Sequence, residues 1–314
     1  MDHIREENNT ISRWGKYPHE RSIEEMIDRS LVIIDKPSGP TSHQVSAWVQ
    51  ELFGMKAGHS GTLDPNVTGV LPMGLGHSVR VIDLLHELPK EYVAALHLHS
   101  RANLNRFKEV LKEFEGKIYQ TPPLRSGVKR ERRVREIFSI ELLENKGRDF
   151  LIHVRCESGT YIRTLCKDIG KAMGTNAHMM DLRRINSGGF TEEECQILQD
   201  VRDAVVCYQD GDESELKDML LNYERALDVY PKLLVKDTAA GSLLNGADLA
   251  VPGIMQMDDF KEGDIVSLIS PKEEGIAIGK AVYSAEKIMN LEKGLVVKTT
   301  RVFHPVGEYP QRWK

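Results

Sequence analysis

Long apolar runs, cysteine pairs and a positive net charge are all missing from this 314-residue sequence. The longest apolar stretches, such as Leu31 to Ile34, run for only a few residues. That is far short of the ~20 needed to cross a bilayer, so no membrane segment is expected. The four cysteines, Cys156, Cys166, Cys195 and Cys207, show no CxxC spacing, which excludes the common zinc and redox motifs. The opening residues Asp2, His3, Arg5, Glu6 and Glu7 are polar and lack the apolar core of an export signal. Reduced thiols and a cytoplasmic location are therefore expected. No internal repeat or low-complexity tract is present.

What is there describes a globular protein: 40% apolar and 28% charged residues. The length exceeds one ordinary core and predicts two domains. The net charge of -5 argues at first against nucleic acid, but the charges are segregated. Six basic residues fall between Leu124 and Arg135, whereas Thr191 to Asp228 is dominated by acids such as Glu192-Glu193-Glu194. A local basic stripe is enough to bind phosphates.

Leu31 to Ile34 reads as a strand ended by the breakers Pro37, Gly39 and Pro40. Ser42 is placed to cap a helix running to Leu52. Tyr92 to His99 and Phe150 to Arg155 alternate like strands. Arg21 to Ile27, Leu104 to Phe114 and Tyr161 to Met173 read as helices, the last with Ile162, Leu165, Ile169 and Met173 on one stripe. The acidic stretch predicts helices joined by a turn at Gln209 to Asp212. After Pro231 short strands (Leu233 to Val235, Ile265 to Ile269, Ile276 to Val282, Gly294 to Lys298) alternate with glycine-rich turns. His97 and His99 share a strand face at a spacing that suits a metal. No further His or Cys joins them at short range, so no metal site is expected.

The densest chemistry lies in Gly58-His59-Ser60-Gly61-Thr62-Leu63-Asp64-Pro65, which holds one carboxylate on a glycine-rich loop. No Gly-Lys-Ser/Thr follows, so it is not a phosphate-binding P-loop. Taken alone, Asp64 reads as an Asp capping a turn before Pro65. The segment resembles the catalytic motif of the TruB/dyskerin pseudouridine synthase family. Lys36-Pro37-Ser38-Gly39-Pro40, Lys90-Glu91-Tyr92, Gly159-Thr160-Tyr161-Ile162-Arg163 and Leu182-Arg183-Arg184 resemble that family's other motifs, in the family's order.

The resemblance implies a mixed α+β catalytic domain around a central, mainly antiparallel sheet, followed by a small β-barrel PUA domain. Its boundaries would be an N-terminal extension at 1–29 near the PUA domain, a catalytic domain at 30–228, the PUA domain at 229–306 and a tail at 307–314. It implies that Asp64, Tyr92 and Arg163 are catalytic and that His59 and Leu182 shape the substrate pocket. Breaking the uridine C1′–N1 bond and rejoining the base through C5 oxidises nothing, so no cofactor is expected. One carboxylate can act as a nucleophile at C1′ or take a proton from the sugar, and the sequence leaves both routes open.

RNA contacts are expected at Arg125, Lys129 and Arg130, in a segment resembling the family's substrate-gripping loop, and at Arg183 and Arg184. Leu244 to Ile254 resembles the PUA signature and adds Gly246, Leu249, Pro252 and Gly253. The segments Arg13 to Pro18 and Ile23 to Ile27 resemble the dyskerin branch. That branch implies the catalytic subunit of an H/ACA ribonucleoprotein, working with a guide RNA, a target RNA and small partner proteins. A guide-independent enzyme of the tRNA TΨC arm is the first alternative. A non-catalytic RNA-binding scaffold is the second.

Overall fold

The computed structural model describes residues 1–5, 13–122, 129, 131–305 and 307–310. The chain forms two compact units, one of Val32–Met73 and Ile82–Val206, the other of Met1–Leu31, Gly74–Val81 and Cys207–Lys314.

The first unit is built on a sheet with the strand order Ser30–Lys36, Thr68–Leu75, Ala177–Ser187, Lys90–Leu98, Asp149–Cys156, Arg133–Lys146, Gly116–Gln120. Thr68–Leu75 and Ala177–Ser187 run parallel, whereas Lys90–Leu98 is antiparallel to both its neighbours. Alternation explains the strands. Phe150, Ile152 and Val154 are at most 2% exposed and point to one face. Helices Leu104–Glu113 and Ile162–Ala172 cover that face with Phe107, Val110, Leu165 and Ile169. The rings of Phe107 and Phe150 stack with centres 3.9 Å apart.

One expected cap is corrected. The helix Ser42–Phe53 is capped by Thr41, whose hydroxyl accepts from the Gln44 N–H, and Ser42 is its first residue. That frees the Ser42 hydroxyl for a longer-range contact described below.

The second unit has the strand order His3–Ile4, Ile254–Met257, Lys232–Val235, Ile265–Ile269, Gly275–Ala281, Leu295–Val302, Leu249–Ala250. The N-terminal residues pair here, His3 opposite Met257, and the Met1 ammonium lies 3.4 Å from Asp258. The helix Asp237–Leu244 buries Ala240, Leu243 and Leu244 against the sheet. This helix was not foreseen, because Gly241 and Ser242 weaken its propensity. Gly241 is needed there: a Cβ would stand 2.1 Å from the Pro310 carbonyl.

Candidate active site

Asp64 lies in the loop between Ala57–His59 and Thr68–Leu75, and two distant residues, Ser42 and Lys36, fix that loop. The Leu63 N–H donates to Ser42 Oγ at 2.8 Å, and the Ser42 hydroxyl lies 3.1 Å from the Leu63 carbonyl. The fully buried Lys36 ammonium donates to the carbonyls of Pro37 (2.9 Å), Pro65 (3.0 Å) and Val67 (2.9 Å). It thus ties the backbone just after Asp64 to the segment at Pro37. Burial lowers the Lys36 pKa, with the Asp64 charge acting in the opposite sense. Gly69 closes the loop at φ +104, where a Cβ would stand 2.1 Å from the Arg184 carbonyl.

Arg163, in the first turn of Ile162–Ala172, places Nη2 2.8 Å from Asp64 Oδ2. Gln120 anchors the start of that helix: its side chain accepts from the Tyr161 N–H (2.9 Å) and donates to the Tyr161 carbonyl (3.2 Å). Side-chain exposures of 39% and 47% leave Arg163 and Asp64 open to a ligand, so the pair orients the carboxylate more than it stabilises the fold.

Behind the carboxylate is a cavity of about 370 Å³ lined by residues that include Asp64, Lys90, Tyr92, Arg163, Leu182 and Arg184. It falls within the range of roughly 300–1,000 Å³ typical of small-ligand sites. Sheet register creates it, since Tyr92 sits opposite Arg184 and Ala94 opposite Leu182. Burial raises the Tyr92 phenol pKa, while the Arg184 charge pulls it the other way. Burial, with Arg184 adding to it, brings the Lys90 ammonium down to about 7. Its three bonds to the carbonyls of Leu85, His86 and Leu88, at 2.6–2.8 Å, act against that shift because they favour the charged form.

His59 does not line the cavity. Its ring meets His43 edge-on, with centres 4.9 Å apart, and burial with nearby positive groups pushes its pKa down to about 4.

The expected RNA contacts divide. Arg125 and Arg130 lie outside the described residues. Lys129 is 79% exposed and pairs with Glu131. Arg183 spans Asp35 with bonds of 2.9 and 3.0 Å and also meets Glu192. Gly246 and Pro252 are exposed. Three expectations are corrected. Arg184 is 1% exposed, and its guanidinium donates to the carbonyls of Val70, Gly61 and Ser60, so no phosphate reaches it. Leu249 is 2% exposed and belongs to a hydrophobic core. Gly253 serves internal packing, because a Cβ there would stand 2.8 Å from Ala239 and 2.9 Å from Leu249.

Sequence reasoning passed over Lys36, Ser42, Lys90 and Gln120. The two lysines sit inside the quoted motifs, but nothing in a lysine's identity says that it points into a cage of carbonyls.

Comparison with known proteins matches this geometry to one family. Residues 50–105 and 99–162 match the TruB family pseudouridylate synthase N-terminal domain, and 163–228 match the tRNA pseudouridylate synthase B C-terminal domain. Residues 231–303 match the PUA domain, and 2–46 match the DKCLD (NUC011) domain. The fold and site are those of an RNA-modifying isomerase. The chain belongs to the TruB family and is a pseudouridine synthase of its dyskerin-like branch. It is 46% identical to the probable tRNA pseudouridine synthase B of Methanocaldococcus jannaschii, over 99% of this chain and 94% of that protein. The Methanothermobacter thermautotrophicus counterpart is 45% identical, over 98% and 96%. A chain of a Cbf5–Nop10–Gar1 complex superposes with a TM-score of 0.92 and 44% identity, covering 98% of this chain and 95% of the other. A chain of an H/ACA ribonucleoprotein bound to a substrate RNA containing 2′-deoxyuridine gives 0.91 and 41%, covering 99% and 96%.

Proposed function

We propose that this chain is the catalytic subunit of an H/ACA guide ribonucleoprotein, isomerising selected uridines of ribosomal RNA to pseudouridine, with Asp64 acting on the ribose. The observation that carries the chemistry is the Asp64–Arg163 pair at 2.8 Å, at a cavity that also holds Tyr92 and Leu182. Likeness over almost the whole chain to Cbf5 in complex with Nop10 and Gar1 supports the guide-dependent reading and its small protein partners. The cytoplasmic location expected from the sequence belongs to this proposal.

The target uridine has to leave its stack, at a cost of ~a few kcal/mol that pocket and backbone contacts repay. Asp64 then attacks C1′ and displaces N1, or removes a sugar proton to open the same bond. The freed uracil turns and C1′ bonds to C5, either displacing the Asp64 carboxylate from C1′ or with Asp64 returning the sugar proton. The C5 proton is lost and N1 regains one, so product and substrate are isomers. Arg163 aims the carboxylate. Tyr92 lies against the base as a neutral phenol, and Arg184 beside it favours any transient phenolate that accepts the C5 proton. Leu182 closes the apolar wall. Lys129, Arg183, Gly246 and Pro252 are the described residues left for RNA contact.

A second reading, direct action on tRNA without a guide, is favoured by the names of the relatives in Methanocaldococcus jannaschii and Methanothermobacter thermautotrophicus. RNA tritiated at uridine C5 separates the two, because isomerisation releases the label. We expect release from a guide-paired target in the assembled complex and none with Asp64→Asn. Release from tRNA alone, dependent on Asp64, would establish the second reading. Turnover by Asp64→Asn would refute the role of Asp64.

A further inference from the structure

Outside the catalytic cavity, three histidines converge on one open face of the catalytic sheet. Leu96 and Leu98 point into the core with no exposure, so the alternate residues His97 and His99 take the opposite face. Antiparallel register brings His178 of the next strand directly opposite His97. On the other side the register sets Asp149 opposite His97, and its carboxylate Oδ1 lies 2.5 Å from His97 Nδ1. Ring centres are 5.2 Å apart for His97 and His178, 5.2 Å for His99 and His178, and 6.1 Å for His97 and His99. His99 Nε2 and His178 Nδ1 are hydrogen-bonded at 3.0 Å.

The ring centres lie close to the spacing of a metal centre, although as they stand the three rings do not bring one nitrogen each within 4.8 Å of the others. An ion held tetrahedrally about 2.05 Å from three imidazole nitrogens sets the ring centres about 5.2 Å apart. Two of the three distances already have that value, and the third has to close by about 1 Å. Asp149 fixes His97 with Nδ1 turned away, leaving Nε2 for the ion, which is the carboxylate–histidine–metal arrangement of many zinc sites. Its charge also offsets the cation. The nearby Arg148 guanidinium donates to the His99 carbonyl.

Another cluster competes for attention: Glu274, His304 and Glu308 in the other unit. The cations Arg21 and Arg29 lie within 3.8 Å of Glu274, so positive charge is already supplied there.

We propose that His97, His99 and His178 bind a divalent transition-metal ion, zinc by preference, with Asp149 orienting His97 and the fourth position open. Three neutral imidazoles suit zinc, cobalt, nickel and copper, and not the hard oxygen-seeking ions. Binding breaks the hydrogen bond between His99 and His178, and each neutral imidazole then carries its one proton on the nitrogen turned away from the ion. The ion cross-links the ends of Lys90–Leu98 and Ala177–Ser187, strands that also carry Tyr92 and Leu182. The site therefore clamps the scaffold of the cavity and takes no part in its chemistry.

The test uses untagged, metal-stripped full-length chain titrated with Co²⁺ and then Zn²⁺. The expected result is a single Co²⁺ per chain with the visible bands of tetrahedral coordination, displaced by Zn²⁺, and a Zn²⁺-dependent rise in Tm. His99→Ala combined with His178→Ala, both on exposed side chains, should abolish the bands and the rise while leaving the circular dichroism unchanged. Asp149→Ala should weaken binding by roughly 10–100-fold. Absence of saturable binding in the parent protein, or binding that survives the double substitution, would overturn the proposal.

Discussion

Replacing Lys36 by Met is the sharpest probe of how the Asp64 loop is held. The ammonium is fully buried and donates to the carbonyls of Pro65 and Val67, just after Asp64, and of Pro37. Methionine keeps the length and removes every donor. Pro65 retains the Gly39 N–H at 2.9 Å, so the losses fall on Pro37 and Val67. Depriving the buried Val67 carbonyl of its donor costs about 1–3 kcal/mol, and the carbonyl of the exposed Pro37 turns to water at less cost. Relief from burying an ammonium offsets part of that. The net expectation is about 2 kcal/mol of lost stability in urea unfolding. The rate should fall further than stability predicts, because a shift of ~1 Å in a reacting group costs on the order of 100-fold. Single-turnover tritium release with the assembled complex reads that rate under conditions where the variant remains folded. A Lys36→Met protein within 1 kcal/mol of the parent and equally fast would refute the view that this lysine positions Asp64.

Two further perturbations concern His59 and Gly69. His59 is held at about 4 in the folded chain, below its ordinary 6.5. Its neutral ring therefore contributes stability that is present above about 6.5 and is lost as pH falls toward 4, about 1–2 kcal/mol after solvent screening of the partly exposed ring. His59→Gln should flatten that part of the acid limb in pH-dependent urea unfolding, and an unchanged limb would count against the assignment. Gly69→Ala drives a Cβ into the Arg184 backbone at positive φ. A loss of about 3 kcal/mol is expected in thermal unfolding, and a stable variant would show that the two strands can separate freely there.

Local sequence carried the elements whose signals are local. The stripes in Leu104–Glu113 and Ile162–Ala172, and the alternation of Phe150, Ile152 and Val154, are one-sided burial written at periods of 3.6 and 2. The strand Arg133–Lys146 was less legible, because charged residues such as Glu136, Glu141 and Glu144 interrupt its pattern. The motif glycines and Asp64 were legible because they form a continuous string. Adjacent arginines show where that legibility stopped. Arg183 and Arg184 read alike as phosphate contacts, yet strand alternation sends one to Asp35 and Glu192 and the other under the loop that carries Asp64. Sequence determined which residue types were available and which segments were helix or strand. Register between strands decided which of them met: Tyr92 with Arg184, Ala94 with Leu182, and His97 with His178. Those pairings join residues more than 80 positions apart, and only sheet packing brings them within reach.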